Sequence, residues 1–394
     1  MVAFKLSDCF NVNFKFLKIF GVWPGKIPHK YYKYYSALFL SINLVLYNAL
    51  LILNLVYTPR EIELIIREII FLFTEVTVIG KVLMVVLMQK KLFTVFDILD
   101  CEEFNGSGEV KQIIDTHVSI YKKSWKIFTV LGNFSYGSKV GILIIMIMMF
   151  NADMELPICK YYFLDHDIVR RYFVFWFIYQ SVGMYSHMQY NTNIDTLISG
   201  LLYMAIAQVK ILKYEIENLR VVNMKIQRRC FLTEDSEQIV VLHKYLKHYE
   251  MILKYCSLVQ DLIGVTLFIQ FGMASIMICV VLCALLLPLK IEVLIFMITY
   301  LCALVGEIFV PAWLGTQLTY ESGELVSAAY YSEWIPRSER FKRSLKLFMV
   351  RANTNIVITG WRIFPLSLDT FTSIMKTAYS FFTLIRNVQD RDEN

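Results

Sequence analysis

The sequence predicts an all-α membrane protein with seven transmembrane helices. Of its 394 residues, 57% are hydrophobic and only 18% are charged, whereas a soluble chain carries about 25% charged residues. The eight cysteines are scattered without a CxxC pair, which argues against a disulfide framework or a zinc site. The sequence contains no phosphate-binding loop, HExxH pair or GxSxG elbow. We therefore expect no enzyme activity, no cofactor and no metal.

Seven apolar segments are long enough to cross roughly 30 Å of hydrocarbon as helices. The third is the clearest, and the second is the least regular because charged residues interrupt it. We expect the fifth and sixth to form a tight hairpin at Pro288, since proline cannot continue a helix. The fourth is too long for one crossing and is expected to continue below the membrane. The predicted spans are about 35–57, 62–88, 125–150, 172–207, 256–287, 291–316 and 364–388.

Lysine and arginine are distributed unevenly between the two sets of loops. Several times as many lie before the first span and after the second, fourth and sixth spans as on the opposite side. Positive residues gather in cytoplasmic loops, so residues 1–34 are predicted to be cytosolic and the C-terminus extracellular. A G-protein-coupled receptor has the reverse orientation. Only residues 389–394 follow the last span. We therefore expect the final helix itself, rather than a cytosolic tail, to carry the function of the protein.

The outer halves of spans two to six hold aromatic and methionine side chains with a few polar groups at a shared depth. Such a lining suits a small apolar ligand. Each residue taken singly is also typical of ordinary bundle packing, and for His187 packing and ligand contact are equally favoured. The candidate ligand-binding residues are Phe71, Phe73, Thr74, Ser138, Gly141, Tyr179, Met184, His187, Met273 and Tyr300.

Ionisable side chains within the spans are costly unless they find water or a partner. Lys81, Lys139 and Lys376 either snorkel towards an interface or pair inside the bundle. Glu75 either faces a cavity or bonds a neighbouring helix. Asp195 lies nearer the inner side of the fourth span and is expected to hold helices together.

The final predicted helix carries a partly polar stripe. Residues three and four apart share a helix face, so Leu384, Asn387 and Val388 lie together. Facing a pore axis, they would form an apolar constriction beside a polar ring, a known way to gate ions. The alternative is a helix packed against its own bundle, with Asn387 at the interface.

The chain resembles insect odorant receptors over nearly its whole length. The resemblance rests on four runs in order: FLKIFGVWP at 16–24, DTLISGL at 195–201, AAYYSEW at 328–334, and FPLSLDTF at 364–371 followed by YSFFTL at 379–384. It implies the same cytosolic N-terminus that the charges predict. It also implies a multi-pass protein of the plasma membrane, in the dendrites of olfactory sensory neurons.

Such receptors are similar to tetrameric odour-gated cation channels, built from a variable tuning subunit and a shared co-receptor. The resemblance implies that residues 35–316 hold the ligand pocket, that 317–363 form the cytoplasmic subunit contact, and that 364–388 line the pore. It places Leu384 and Val388 at the gate and Asn387 at a polar ring. The co-receptor has a long insertion between spans four and five that this chain lacks, so the expected role is that of a tuning subunit which binds a volatile.

Two other receptor classes remain as alternatives. A gustatory receptor shares the architecture, but its final helix usually ends in a different motif. A metabotropic seven-helix receptor predicts an extracellular N-terminus and a cytosolic tail, neither of which the sequence indicates.

Overall fold

The computed structural model describes residues 5–25, 30–106, 108–150, 155–219, 231–286 and 291–392. Within these ranges the chain forms α-helices and one two-stranded sheet. The helices are α1 (Asn11–Ile19), α2 (Tyr32–Leu40), α3 (Tyr47–Tyr57), α4 (Ile62–Leu87), α5 (Gln89–Leu99), α6 (Glu109–Phe150), α7 (His166–Arg171), α8 (Phe173–Glu217), α9 (Phe231–Ala284), α10 (Ile291–Tyr331), α11 (Glu339–Ala352) and α12 (Leu368–Asp392). A π-helical segment, Ser41–Leu46, joins α2 to α3.

Six helical segments of the described ranges are long and apolar enough to cross a membrane, which makes the chain a multi-pass membrane protein. They are Tyr32–Tyr57, Leu64–Leu87, Glu109–Met149, Phe173–Glu217, Gln238–Ala284 and Met297–Tyr331. They match the first six predicted spans in order. The helix at the seventh predicted span, α12, has 25 residues but carries too many polar side chains to be grouped with them.

Four of the helices are far longer than a membrane is thick. Helices α6, α8, α9 and α10 have 42, 45, 54 and 41 residues, or about 60–80 Å at 1.5 Å per residue. The predicted spans covered only their apolar parts, because hydropathy reports the surroundings of a helix and not its end. The extension was predicted for the fourth span alone.

The N-terminal segment packs against the buried helix α8. Asn13 is buried, and its Nδ2 donates to the carbonyl of Asn193 at 3.0 Å and to Thr196 Oγ1 at 2.9 Å. A Cβ added to Gly200 would lie 2.5 Å from the Phe10 ring, so a larger residue there would push this segment away. Residues 10–13 and the sequence run 195–201 therefore belong to one region of the molecule.

A short hairpin seats the last helix. Strands β1 (Thr359–Gly360) and β2 (Phe364–Pro365) pair antiparallel, and the Trp361 amide donates to the carbonyl of Gly264 at 2.8 Å. Because Phe364 and Pro365 belong to a strand, α12 begins at Leu368 rather than at the predicted 364. The Thr316 hydroxyl of α10 accepts from the Leu368 amide at 2.8 Å. The predicted turn at Pro288 lies outside the described residues.

Candidate functional site

The side chains of Thr74 and Tyr300 meet between α4 and α10. The Tyr300 hydroxyl lies 2.6 Å from Thr74 Oγ1 and 3.1 Å from the sulfur of Met277 on α9. Phe73 and Met273 pack, half-buried, against the same core cluster as Tyr300. Four of the predicted ligand-binding residues thus border one region. Met277 joins them, although the sequence analysis did not single it out.

Glu75 and His187 form a buried hydrogen-bonded pair between α4 and α8. The other ring nitrogen of His187, Nε2, lies 2.5 Å from the carbonyl oxygen of Asn43. A carbonyl oxygen can only accept, so Nε2 is the donor in this contact. Of the two alternatives for Glu75, the structure shows the bond to a neighbouring helix.

The ring of Tyr47 covers His187 from the first span. The two ring centroids are 4.6 Å apart, and a Cβ added to Gly183 would overlap the Tyr47 ring. Glycine at 183 therefore permits this contact. Asn43 and Tyr47 were not among the residues predicted from the sequence, although asparagines spaced along an otherwise apolar first span were an available signal.

A second group of predicted residues lies around Tyr47. Phe71, Tyr179 and Met184 pack, half-buried, against the cluster that contains Tyr47 and Leu51. The Tyr179 hydroxyl donates to the carbonyl of Ile42 at 3.1 Å. Phe71 lies three residues before Thr74 on α4. The group around Tyr47 and the Thr74–Tyr300 group are therefore neighbours along one helix.

The two predicted residues of α6 make fewer contacts than the others. The Ser138 hydroxyl donates to the carbonyl of Ser135 at 3.0 Å within its own helix. A Cβ added to Gly141 would meet no atom within 4 Å. Between them, the Lys139 ammonium lies 4.8 Å from the ring centroid of Phe71. Lys139 is thus the α6 side chain that reaches the aromatic group on α4.

Residues 155–165 fold over one end of this region. The Gln180 side chain accepts from the Ile158 amide at 3.0 Å and donates to the Cys159 carbonyl at 3.0 Å. Asn54 accepts from the Tyr162 amide at 2.8 Å. These bonds tie the segment to α8 and α3, so it covers that end of the helices. This cover was not predicted from the sequence.

A charged cluster joins α4, α8 and α10. Lys81 is fully buried, and its ammonium lies 2.7 Å from Asp195, 2.6 Å from Glu307 and 2.6 Å from the Asn191 side-chain oxygen. The expected role of Asp195 in helix contacts is confirmed by this ion pair. For Lys81, pairing inside the bundle is confirmed over snorkelling.

Gln270 extends the charged cluster to α9. Its amide group donates to the Glu307 carbonyl at 3.3 Å and to the Glu307 carboxylate at 3.2 Å. Pro311 lies four residues after Glu307 inside α10, and a proline leaves the carbonyl four residues earlier without its helix bond. Gln270 supplies the missing donor. A cavity of about 20 Å³ borders the two carboxylates of the cluster.

The last helix has a buried face and an exposed polar stripe. On the buried face, Ala378 is fully covered, and the Phe371 ring lies 5.4 Å from that of Phe309 on α10. The stripe recurs at helical spacing and consists of the exposed residues Asp369, Ser373, Lys376, Ser380 and Asn387, with the apolar and exposed Leu384 on the same face between Ser380 and Asn387. The side chain of Val388, the third predicted gate residue, lies outside the described part.

An open cleft adjoins the N-terminal end of this polar stripe. Its volume is about 540 Å³, and Ser275, Asp369 and Ser373 are among its lining residues. The cleft lies between α9 and α12. The polar stripe therefore leads to a solvent-accessible space at the end of the helix that holds Asp369.

Comparison with known proteins identifies related chains. The sequence profile of the 7tm Odorant receptor family matches residues 61–379. Odorant receptor 46a, isoform B, of Drosophila melanogaster is 24% identical over 97% of this chain and 99% of its own length. Odorant receptor 67c of the same species is 26% identical over 56% of this chain. That match spans about half of the relative's length, 52%.

Solved structures share the fold. The structure of the insect olfactory receptor OR5 from Machilis hrabei in complex with eugenol superposes with a TM-score of 0.82, covering 97% of this chain and 98% of the other. A second structure of that receptor gives the same values. The identity is 19%, so this likeness shows a common fold and does not transfer individual residues.

Proposed function

The chain belongs to the family of insect odorant receptors, which are receptors rather than enzymes, and we propose that it is a tuning subunit that binds a small volatile apolar molecule and gates a non-selective cation channel. The channel forms together with the shared co-receptor. One observation carries this proposal: α12, with 25 residues, exposes a stripe of polar and charged side chains that lipid would not solvate.

The odorant site lies in the outer halves of the helices. Thr74 and Tyr300 supply polar atoms beside Phe73 and Met273, and Phe71, Tyr179 and Met184 supply apolar surface near His187. Ser138 and Gly141 on α6 remain part of the proposed lining. A site of this composition tolerates several ligand shapes, since one methylene changes binding by only about 1–3 kcal/mol.

Contacts between helices link the proposed site to the proposed pore. Tyr300 lies on α10, and Phe309 of the same helix packs on Phe371 of α12. Between Tyr300 and Phe309, Glu307 of α10 belongs to the Lys81 cluster, which joins α10 to α4 and α8. An odorant that fits better when α10 has shifted would favour the arrangement in which the last helices separate. Only such a difference in affinity between two states opens a channel.

The proposed orientation places the N-terminus in the cytosol and the C-terminus outside the cell, with α12 as the seventh crossing. The lysine and arginine distribution supports it. Leu384, Asn387 and Val388 would then form the gate near the outer end of the pore. Residues 317–363 would make the cytoplasmic contact with the co-receptor, and the assembly would reside in the plasma membrane of sensory dendrites.

Electrophysiology tests the proposal as a whole. Cells that co-express this chain and the co-receptor are exposed to a panel of volatiles, and membrane current is recorded. We expect at least one volatile to evoke a cation current that requires this chain. A response that depends on G-protein signalling, without a direct odour-evoked conductance, would contradict the proposal.

Removing the Tyr300 hydroxyl tests the odorant site. A neutral hydrogen bond contributes about 0.5–1.5 kcal/mol, so Tyr300→Phe should change the half-maximal odorant concentration by roughly two- to tenfold. Tyr185→Phe is the control, because Tyr185 bonds Asn133 at 3.3 Å in another part of the bundle. Equal potency of Tyr300→Phe and wild type over the active panel would remove Tyr300 from the site.

A further inference from the structure

Lys376 brings a positive charge into the polar stripe of α12. The side chain is exposed and lies about 12 Å along the axis from the first helical residue, Leu368. In the part of the chain that the structure describes, no hydrogen bond or ion pair holds its ammonium group. Lys81, by contrast, is fully buried between two carboxylates.

The surroundings of Lys376 indicate an aqueous environment. Ser373 precedes it by three residues and Ser380 follows it by four, so both lie on its face of the helix, and both are exposed. Ala378, on the packed side of the helix, is fully buried. A charged side chain at membrane depth normally faces a protein interior or a water-filled cavity, not lipid. The ammonium group therefore belongs in the space that the polar stripe borders.

We propose that Lys376 limits cation flow through the channel, because its ammonium faces the permeation path and lowers the local cation concentration there. This inference rests on the proposed role of α12 in the pore. Asp369, about 10 Å further in on the same stripe, has the opposite charge and borders the open cleft. Passing cations would thus meet an attractive site at the inner end and a repulsive one in the middle.

The size of the effect follows from Coulomb's law. Two unit charges about 6–8 Å apart in water repel enough to reduce local cation occupancy roughly two- to threefold. Salt screens this repulsion, because the Debye length is about 8 Å at physiological ionic strength, about 30 Å at 0.01 M and about 3 Å at 1 M. The effect should therefore be strong in dilute salt and vanish in concentrated salt. It should also grow with the number of copies of this chain in each channel.

Single-channel recording in sodium chloride solutions tests the inference on the complex with the co-receptor. Lys376→Gln should raise unitary conductance roughly twofold at physiological salt, more in dilute salt, and little at 1 M. Lys376→Arg, which keeps the charge, should leave conductance unchanged. Lys90→Gln, which removes an exposed charge from α5, should also have no effect. Equal conductance of Lys376→Gln and wild type in dilute salt would overturn the inference.

Cysteine modification gives a second readout that does not depend on how the glutamine variant folds. In Lys376→Cys channels, a cationic thiosulfonate should restore the wild-type conductance, and an anionic one should raise it. Modification without any charge-dependent change would also overturn the inference.

The same cysteine series separates this inference from the proposed function. If modification of Lys376→Cys has no effect but modification of Leu384→Cys alters the current, α12 still lines the pore and only the role of Lys376 fails. If modification of neither variant alters the current, both the role of Lys376 and the pore proposal fail.

Discussion

Replacing Lys81 with methionine is expected to remove the folded receptor from the cell surface. The substitution leaves Asp195 and Glu307 facing each other without the cation that lies 2.7 Å and 2.6 Å from them. Removing one partner from a buried ion pair costs about 3–5 kcal/mol, a large share of the roughly 5–15 kcal/mol that stabilises a typical protein. Surface biotinylation and thermal unfolding of the detergent-solubilised receptor measure the loss.

Two companion variants show whether charge is the cause. Lys91→Met removes an exposed pair with Asp261 at 3.5 Å, and such a pair is worth only about 0–1 kcal/mol, so surface expression should be normal. Adding Asp195→Asn and Glu307→Gln to Lys81→Met removes the uncompensated charges and should restore part of the stability. Normal expression of Lys81→Met alone would show that the cluster does not hold the helices together.

Replacing Leu384 with serine is expected to open the channel without odorant. Leu384 is 60% exposed in the single chain, so a closed gate would bury it against neighbouring subunits. Burying a whole leucine side chain is worth about 1.5–3 kcal/mol, and losing about half of that would raise the resting open fraction roughly three- to twelvefold. Standing current in the absence of odorant, normalised to surface receptor, measures the change.

Leu131→Ser is the matched control for the gate. Leu131 is 61% exposed on α6, outside the proposed pore and the proposed subunit contact, so its replacement should leave the standing current unchanged. If Leu384→Ser and Leu131→Ser give equal standing and odour-evoked currents, Leu384 is not part of the gate.

The sequence predicts positions along a helix better than contacts between helices. Periodicity placed Leu384 and Asn387 on one face of the last helix, and both are exposed there. Helical periodicity does not identify the partners of Lys81, because its contacts lie 110 and 226 residues away in the chain. It likewise left Glu75 open between a cavity and a neighbouring helix. Partner choice depends on which helices lie side by side, and one helix carries no such information.

The sequence patterns also did not predict two short-range features of the backbone. The last helix begins at Leu368, because Phe364 and Pro365 join a two-residue strand, and strands this short leave no alternating pattern. The cover over the outer site depends on Gln180 and Asn54 binding backbone groups of residues 158–162. Glu307 was not predicted, because it forms its ion pair with Lys81 and its hydrogen bond with Gln270, which lie on other helices.

The position of the C-terminus tests the central claim most directly. An epitope tag fused after Asn394 is probed with antibody on intact and on permeabilised cells that express the receptor with its co-receptor. If α12 crosses the membrane as the seventh span and lines the pore, the antibody will label intact cells. Labelling only after permeabilisation would place both ends of the chain on the cytosolic side and contradict the channel account.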